Sequence, residues 1–127
     1  MKNKDYLKYV SSKIQEKDYI VLPDEISNGS VLKINYKGDL EADGFEIGFL
    51  VMQKGSEIKE HEHTDNIEKY KCLIGTLSVN GEKTNKNICC IGKTHKIDEV
   101  PELTVIKTIK ISKKLLEELF GKQKNFV

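Results

Sequence analysis

Apolar residues recur every three to four positions at Leu7, Val10 and Ile14 in an otherwise polar stretch, which predicts a short amphipathic helix over residues 3–17. Residues 19–22 then have strand composition and are stopped by Pro23. From Val31 onward the pattern changes to short strand-like pieces cut by turn residues. Residues 31–36 end at Lys37-Gly38-Asp39, residues 45–53 at Lys54-Gly55, and residues 58–63 at Thr64-Asp65-Asn66. Residues 68–74 end at Gly75 and residues 76–79 at Asn80-Gly81, a dipeptide that between two strands is the strongest short hairpin signal. Further strands are expected at 87–90, around His95 and over 103–111. Turn signals at this spacing predict an all-β sandwich or barrel. The chain then reverts to helical spacing, with Ser112 as N-cap, an apolar stripe of Leu115, Leu116, Leu119 and Phe120, and Gly121 at the C′ position. The expectation is a single domain over residues 1–127: a β-barrel over about 19–111, with a short helix at each end.

Composition narrows the function classes. The 127 residues are 38% apolar and 32% charged, enough for one core. Lysine plus arginine is 21 against 20 acids, so a net charge of +1 gives no field for collecting nucleic acid or an anionic membrane surface. The lysines of the tail, Lys107, Lys110, Lys113, Lys114, Lys122 and Lys124, lack interleaved aromatics and read as a solvated face. No run approaches the roughly 18–20 apolar residues of a membrane span. The first residues lead into no unbroken apolar segment, so a cleaved signal is not expected and a cytoplasmic location is. Every basic residue is a lysine, which removes the bidentate arginine clamp for carboxylate or phosphate. Cys72, Cys89 and Cys90 form no C-x-x-C pair, so neither a zinc ribbon nor a disulfide framework is expected.

The candidate chemistry lies in the histidines. On a strand, His61 and His63 project to one face about 6.5–7 Å apart, close enough for both rings to converge on one ion. Thr64-Asp65-Asn66 turns the chain, and Glu68 can return beside them with a carboxylate oxygen. His95, the chain's remaining histidine, would complete a site of three nitrogens and one oxygen. A His-x-His strand alone is usually two solvated residues; the assembly with Glu68 and His95 is what indicates a metal. Imidazole and carboxylate together suit Fe(II), Mn(II), Ni(II), Zn(II) or Co(II). Four protein ligands leave positions open for a substrate.

Residues 55–75, GSEIKEHEHTDNIEKYKCLIG, resemble the first motif of the cupin superfamily, with Gly55, His61, His63, Glu68 and Gly75 each in register. The second cupin motif is matched in part. Gly92 and His95 keep its spacing, but Cys90 stands where proline is usual, Glu99 stands for asparagine, and the nearest earlier glycine, Gly81, is too distant. The resemblance implies a cupin double-stranded β-helix, a jelly-roll barrel with His61, His63, Glu68 and His95 holding a divalent transition metal inside one end. It also implies a homodimer and a small-molecule ligand. Cupins include oxygenases, isomerases, epimerases and decarboxylases as well as non-catalytic binding proteins. The expectation is therefore a metalloenzyme for a small polar metabolite, with oxygenase or isomerase/lyase chemistry; the alternative is a non-catalytic ligand-binding, metal-binding or sensor cupin.

Alternation from Glu68 sends Tyr70, Cys72 and Ile74 to the same face. Tyr70 is then a hydrogen-bond donor or general acid for a bound substrate, or an aromatic filling the barrel. Cys72 reads as a small buried hydrophobe. Of Cys89 and Cys90, only one can face inward. Glu99 is either a carboxylate orienting an imidazole N–H or an exposed acid beside Asp98. Glu62 should point outward, away from any metal.

Overall fold

A computed structural model describes residues 19–21, 26–62, 65–84, 88–91 and 94–121; the helix expected over 3–17 lies outside them, as does His63. The short strands assemble into two antiparallel sheets. One has the order β1 (Tyr19–Val21), β3 (Val31–Lys37), β4 (Phe45–Met52), β11 (Thr104–Ser112), β6 (Asn66–Ile74) and β9 (Ile88–Ile91). The other has the order β2 (Ser27–Asn28), β5 (Glu57–His61), β10 (His95–Ile97), β7 (Leu77–Val79) and β8 (Glu82–Thr84). Successive strands alternate between sheets along much of the chain, and this gives a jelly roll rather than a meander.

Strand β11 is the spine of the larger sheet. It pairs residue for residue with β4 from Thr104↔Met52 to Ile111↔Phe45, and on its other edge with β6 from Val105↔Ile74 to Ser112↔Asn66. Alternation then sorts the side chains. Leu50, Met52, Tyr70 and Ile106 face inward with Val31, and meet Ile58, Leu77, Val79, Ile97 and Val100 to form the main core. A second buried cluster holds Ile34, Phe49, Ile74 and Val105, with Leu32, Val51 and Leu73 packed on it.

Ile74 corrects one expectation. Tyr70 and Cys72 belong with the main core, but Ile74 packs in the second cluster. The cause is a break in register: Ile106 pairs with Cys72 while Val105 pairs with Ile74, so Leu73 is an extra residue on β6. A bulge of this kind reverses the alternation beyond it.

The local signals explain most element ends. Asn80 (φ 52°) and Gly81 (φ 84°) both take left-handed backbone, as a two-residue hairpin requires, and join β7 to β8 with Val79 opposite Glu82. Helix α2 (Lys113–Phe120) starts where the Ser112 hydroxyl accepts the Leu115 N–H at 3.0 Å, and Gly121 (φ 74°) follows its end. A short helix α1 (Leu40–Asp43) was not expected: four residues are too few to show a period. Asp39 caps it by accepting from the N–H groups of Glu41 and Ala42, and Gly44 ends it at φ 80°. Two backbone bonds tie these elements to the strand ends, Ser112 N–H to Gly44 O at 2.7 Å and Lys113 N–H to Asp65 O at 2.9 Å.

Candidate metal centre

Strands β5 and β10 are hydrogen-bonded neighbours in the smaller sheet, and His61 lies directly opposite His95. Their rings meet edge-on, with centroids 4.3 Å apart and planes at 63°. Glu68 comes from the other sheet. Inward alternation on β6 carries its carboxylate across the barrel, where Oε1 lies 3.2 Å from His95 Nε2 and 3.8 Å from His61 Nε2. One donor atom each from His61, Glu68 and His95 thus falls within 4.8 Å of the others. His95 and Glu68 are buried and His61 is half-buried. The pleated alternation that builds the core therefore also gathers the three groups.

The surroundings orient these groups. His61 Nδ1 is 2.8 Å from the carbonyl of Lys59, which accepts a hydrogen bond from the Nδ1–H tautomer; in that tautomer Nε2 is the nitrogen free to bind a metal. The Tyr70 hydroxyl donates to Glu68 Oε1 at 2.5 Å. On the opposite side of the carboxylate, Lys110 Nζ stands 3.5 Å from Oε2. Lys110 was read from sequence as part of a solvated face. Its side chain is in fact only 18% exposed, because β11 places it on the inner face between Glu46 of β4 and Glu68 of β6. Counting in twos along β11 from Ile106 and Thr108 was the signal that would have found it. Glu46 in turn pairs with Lys33 at 3.5 Å. The barrel interior is thus apolar at one end and lined with charged and polar groups at the other.

The donor set suits a first-row divalent ion. Two donors about 2.1 Å from a shared ion, at angles between tetrahedral and octahedral, lie roughly 3.0–3.5 Å apart. The 3.2 Å separation falls in that range, and the 3.8 Å separation needs only a few tenths of an ångström of side-chain movement. Two imidazole nitrogens and one carboxylate oxygen are the ligand chemistry such ions take.

The remaining sequence candidates are placed as follows. Glu62 is exposed. Glu99 is exposed too, its carboxylate beside Gly55, which is the exposed-acid alternative rather than a partner for imidazole. The backbones of Cys89 and Cys90 pair in register with Lys69 and Glu68. Cys72 packs against the main core, its sulfur 3.4 Å from the carbonyl of Ile74. Burial pushes the Cys72 thiol up from its ordinary range. We expect Cys72 to alkylate with iodoacetamide at pH 8 at least about tenfold more slowly than free cysteine, because thiolate is the reacting species. Mass mapping of the modified peptide measures this, and a rate equal to free cysteine would contradict it.

A groove of about 820 Å³ is bordered by Glu46, Asn66 and Ser112 and by both short helices; among the described residues, none of His61, Glu68 and His95 lines it. Asn66 precedes Glu68 by two residues on the same face of β6, and its buried Oδ1 has no hydrogen-bond partner among the described residues.

No family model matches the sequence, and no curated protein matches it either. Solved structures do match. The acetylacetone dioxygenase of Acinetobacter johnsonii superposes with a TM-score of 0.63 at 17% identity, covering 78% of this chain and 71% of that one. A cupin-like protein of Thermotoga maritima gives 0.59 at 12% identity, over 76% of this chain and 78% of its own. The cupin-2 domain of an XRE-family transcriptional regulator from Enterobacter cloacae gives 0.53 at 15%, over 64% and 95%. The chain has the cupin fold. No helix among the described residues is long and apolar enough to cross a membrane.

Proposed function

We propose that this cupin-fold protein is a metalloenzyme acting on a small polar metabolite, with His61, Glu68 and His95 holding a divalent transition metal. The His-x-His spacing makes His63 the fourth ligand. The observation that carries this reading is the convergence of three donor atoms from two facing sheets to within 4.8 Å at the polar end of the barrel. A structural role alone would not require the ligands to lie beside charged groups such as Lys110. A bound divalent ion would supply Lewis acidity and an open position for substrate oxygen.

The chain's own residues do the rest. The Lys59 carbonyl fixes the His61 ring and its tautomer. Tyr70, buried in the main core, donates its hydroxyl to Glu68 Oε1 and so fixes the direction of the carboxylate. Oxygenase and isomerase/lyase chemistry both suit this arrangement, and the likeness to the acetylacetone dioxygenase supports the first. Elemental analysis of protein purified without a metal-chelating tag tests the reading. Close to one equivalent of Fe, Mn, Ni, Zn or Co is expected, and its identity separates oxygen chemistry from acid–base chemistry. Protein that carries no such ion and takes none up on titration would overturn it.

A further inference from the structure

The two oxygens of Glu68 face different company. Oε1 lies toward both imidazole Nε2 atoms and the Tyr70 hydroxyl, while Oε2 lies toward the Lys110 ammonium at 3.5 Å. A free carboxylate can grip an ion with one oxygen or with both, and gripping with both fills a position that substrate would use. Lys110 is placed to decide between them. Its backbone is in register with Glu68 on one side and Glu46 on the other, at the middle strand of three, so the ammonium sits on the inner wall by construction of the sheet. Glu46 is itself engaged by Lys33.

We infer that Lys110 is a positioning residue that draws Glu68 Oε2 to the wall, so that Glu68 meets a metal through Oε1 alone and a coordination position stays open. This rests on the metal centre proposed above. The contact is an ion pair largely shielded from water, the setting in which Coulomb attraction is least screened. The ammonium approaches Oε2, whereas both imidazoles approach Oε1.

The test uses the full-length protein loaded with Co(II), whose visible spectrum and X-ray absorption report the number of ligand atoms. In the unaltered protein Glu68 is expected to contribute one oxygen. In Lys110→Met the oxygen count should rise by one and the Co(II) absorption should weaken, whereas Lys110→Arg should keep the original spectrum. An unaltered protein in which Glu68 already binds through both oxygens would overturn the inference, even if Lys110→Met fails to fold. So would a Lys110→Met spectrum identical to the original. Failure of the unaltered protein to bind Co(II) would instead sink the metal centre itself, so the two failures are distinguishable.

Discussion

Replacing His61 by alanine is expected to weaken binding of Co(II) or Zn(II) by at least about a hundredfold, close to 3 kcal/mol of binding free energy. The variant removes one of three convergent donors from the half-buried edge of the centre, where the ring opposes His95 across β5 and β10. Because that edge is partly solvated, the fold should survive. The melting temperature of the metal-free variant is expected to stay within about 5 °C of the metal-free parent, the shift that about 1 kcal/mol produces in a domain of this size. Calorimetric titration and a thermal melt measure both quantities. The pairing separates three readings. Lost affinity with an intact fold supports an open metal centre. Lost affinity with a collapsed fold would make the ion a structural clamp, and unchanged affinity would remove His61 from the centre. His95→Ala is the less discriminating variant: His95 is 2% exposed, so its removal opens a cavity beside Glu68 as well as deleting a donor.

The approach of His61, Glu68 and His95 to one another is partly legible in the sequence, and for a definite reason. His61 and Glu68 are close in sequence, and strand alternation alone predicts the inward direction of the Glu68 side chain. The same rule put Tyr70 and Cys72 inside, where they are. It failed at Ile74, since a single extra residue in β6 reverses every side chain beyond it and no residue type announces the bulge. Lys110 was misread for a different reason. Lysine is overwhelmingly a surface residue, so type outweighed the period-two count along β11 that places this one inward, in register with Glu46 of β4 and Glu68 of β6. The partnership of Glu68 and His95 is similarly non-local: 27 residues separate them, and the crossing from one sheet to the other brings them to 3.2 Å. Short elements were missed on length. The two-residue β2 and four-residue α1 carry too few positions to display any period. Asp39 and Gly44, as cap and stop, were the remaining cues for α1.

Gly75→Ala is expected to be among the most destabilising small substitutions available in this chain, at about 3–5 kcal/mol. Gly75 joins β6 to β7 at φ 84°, where an alanine pays about 1–2 kcal/mol for the left-handed backbone alone. Steric conflict adds to this. A Cβ there would stand 2.3 Å from the Leu103 carbonyl oxygen, 2.5 Å from Thr104 Oγ1 and 2.8 Å from Thr104 Cα. None of these can retreat cheaply. Thr104 is fully buried, its hydroxyl accepts the Thr76 N–H at 3.2 Å, and it opens the strand that pairs with β4 for eight consecutive residues. The loss would be a large share of the roughly 5–15 kcal/mol that holds a domain folded. Gly81 supplies the control. It shares φ 84° but has nothing within 4 Å of the added methyl among the described residues, so Gly81→Ala should cost only the backbone part, about 1 kcal/mol. Urea denaturation of both variants measures the gap between them. Equal destabilisation would mean that crowding against Leu103 and Thr104 contributes nothing. A gap of at least about 2 kcal/mol would explain why a glycine is needed at this position, seven residues after Glu68: the chain must turn out of β6 against β11 with no side chain, so that the strand bearing the carboxylate keeps its place in the barrel wall.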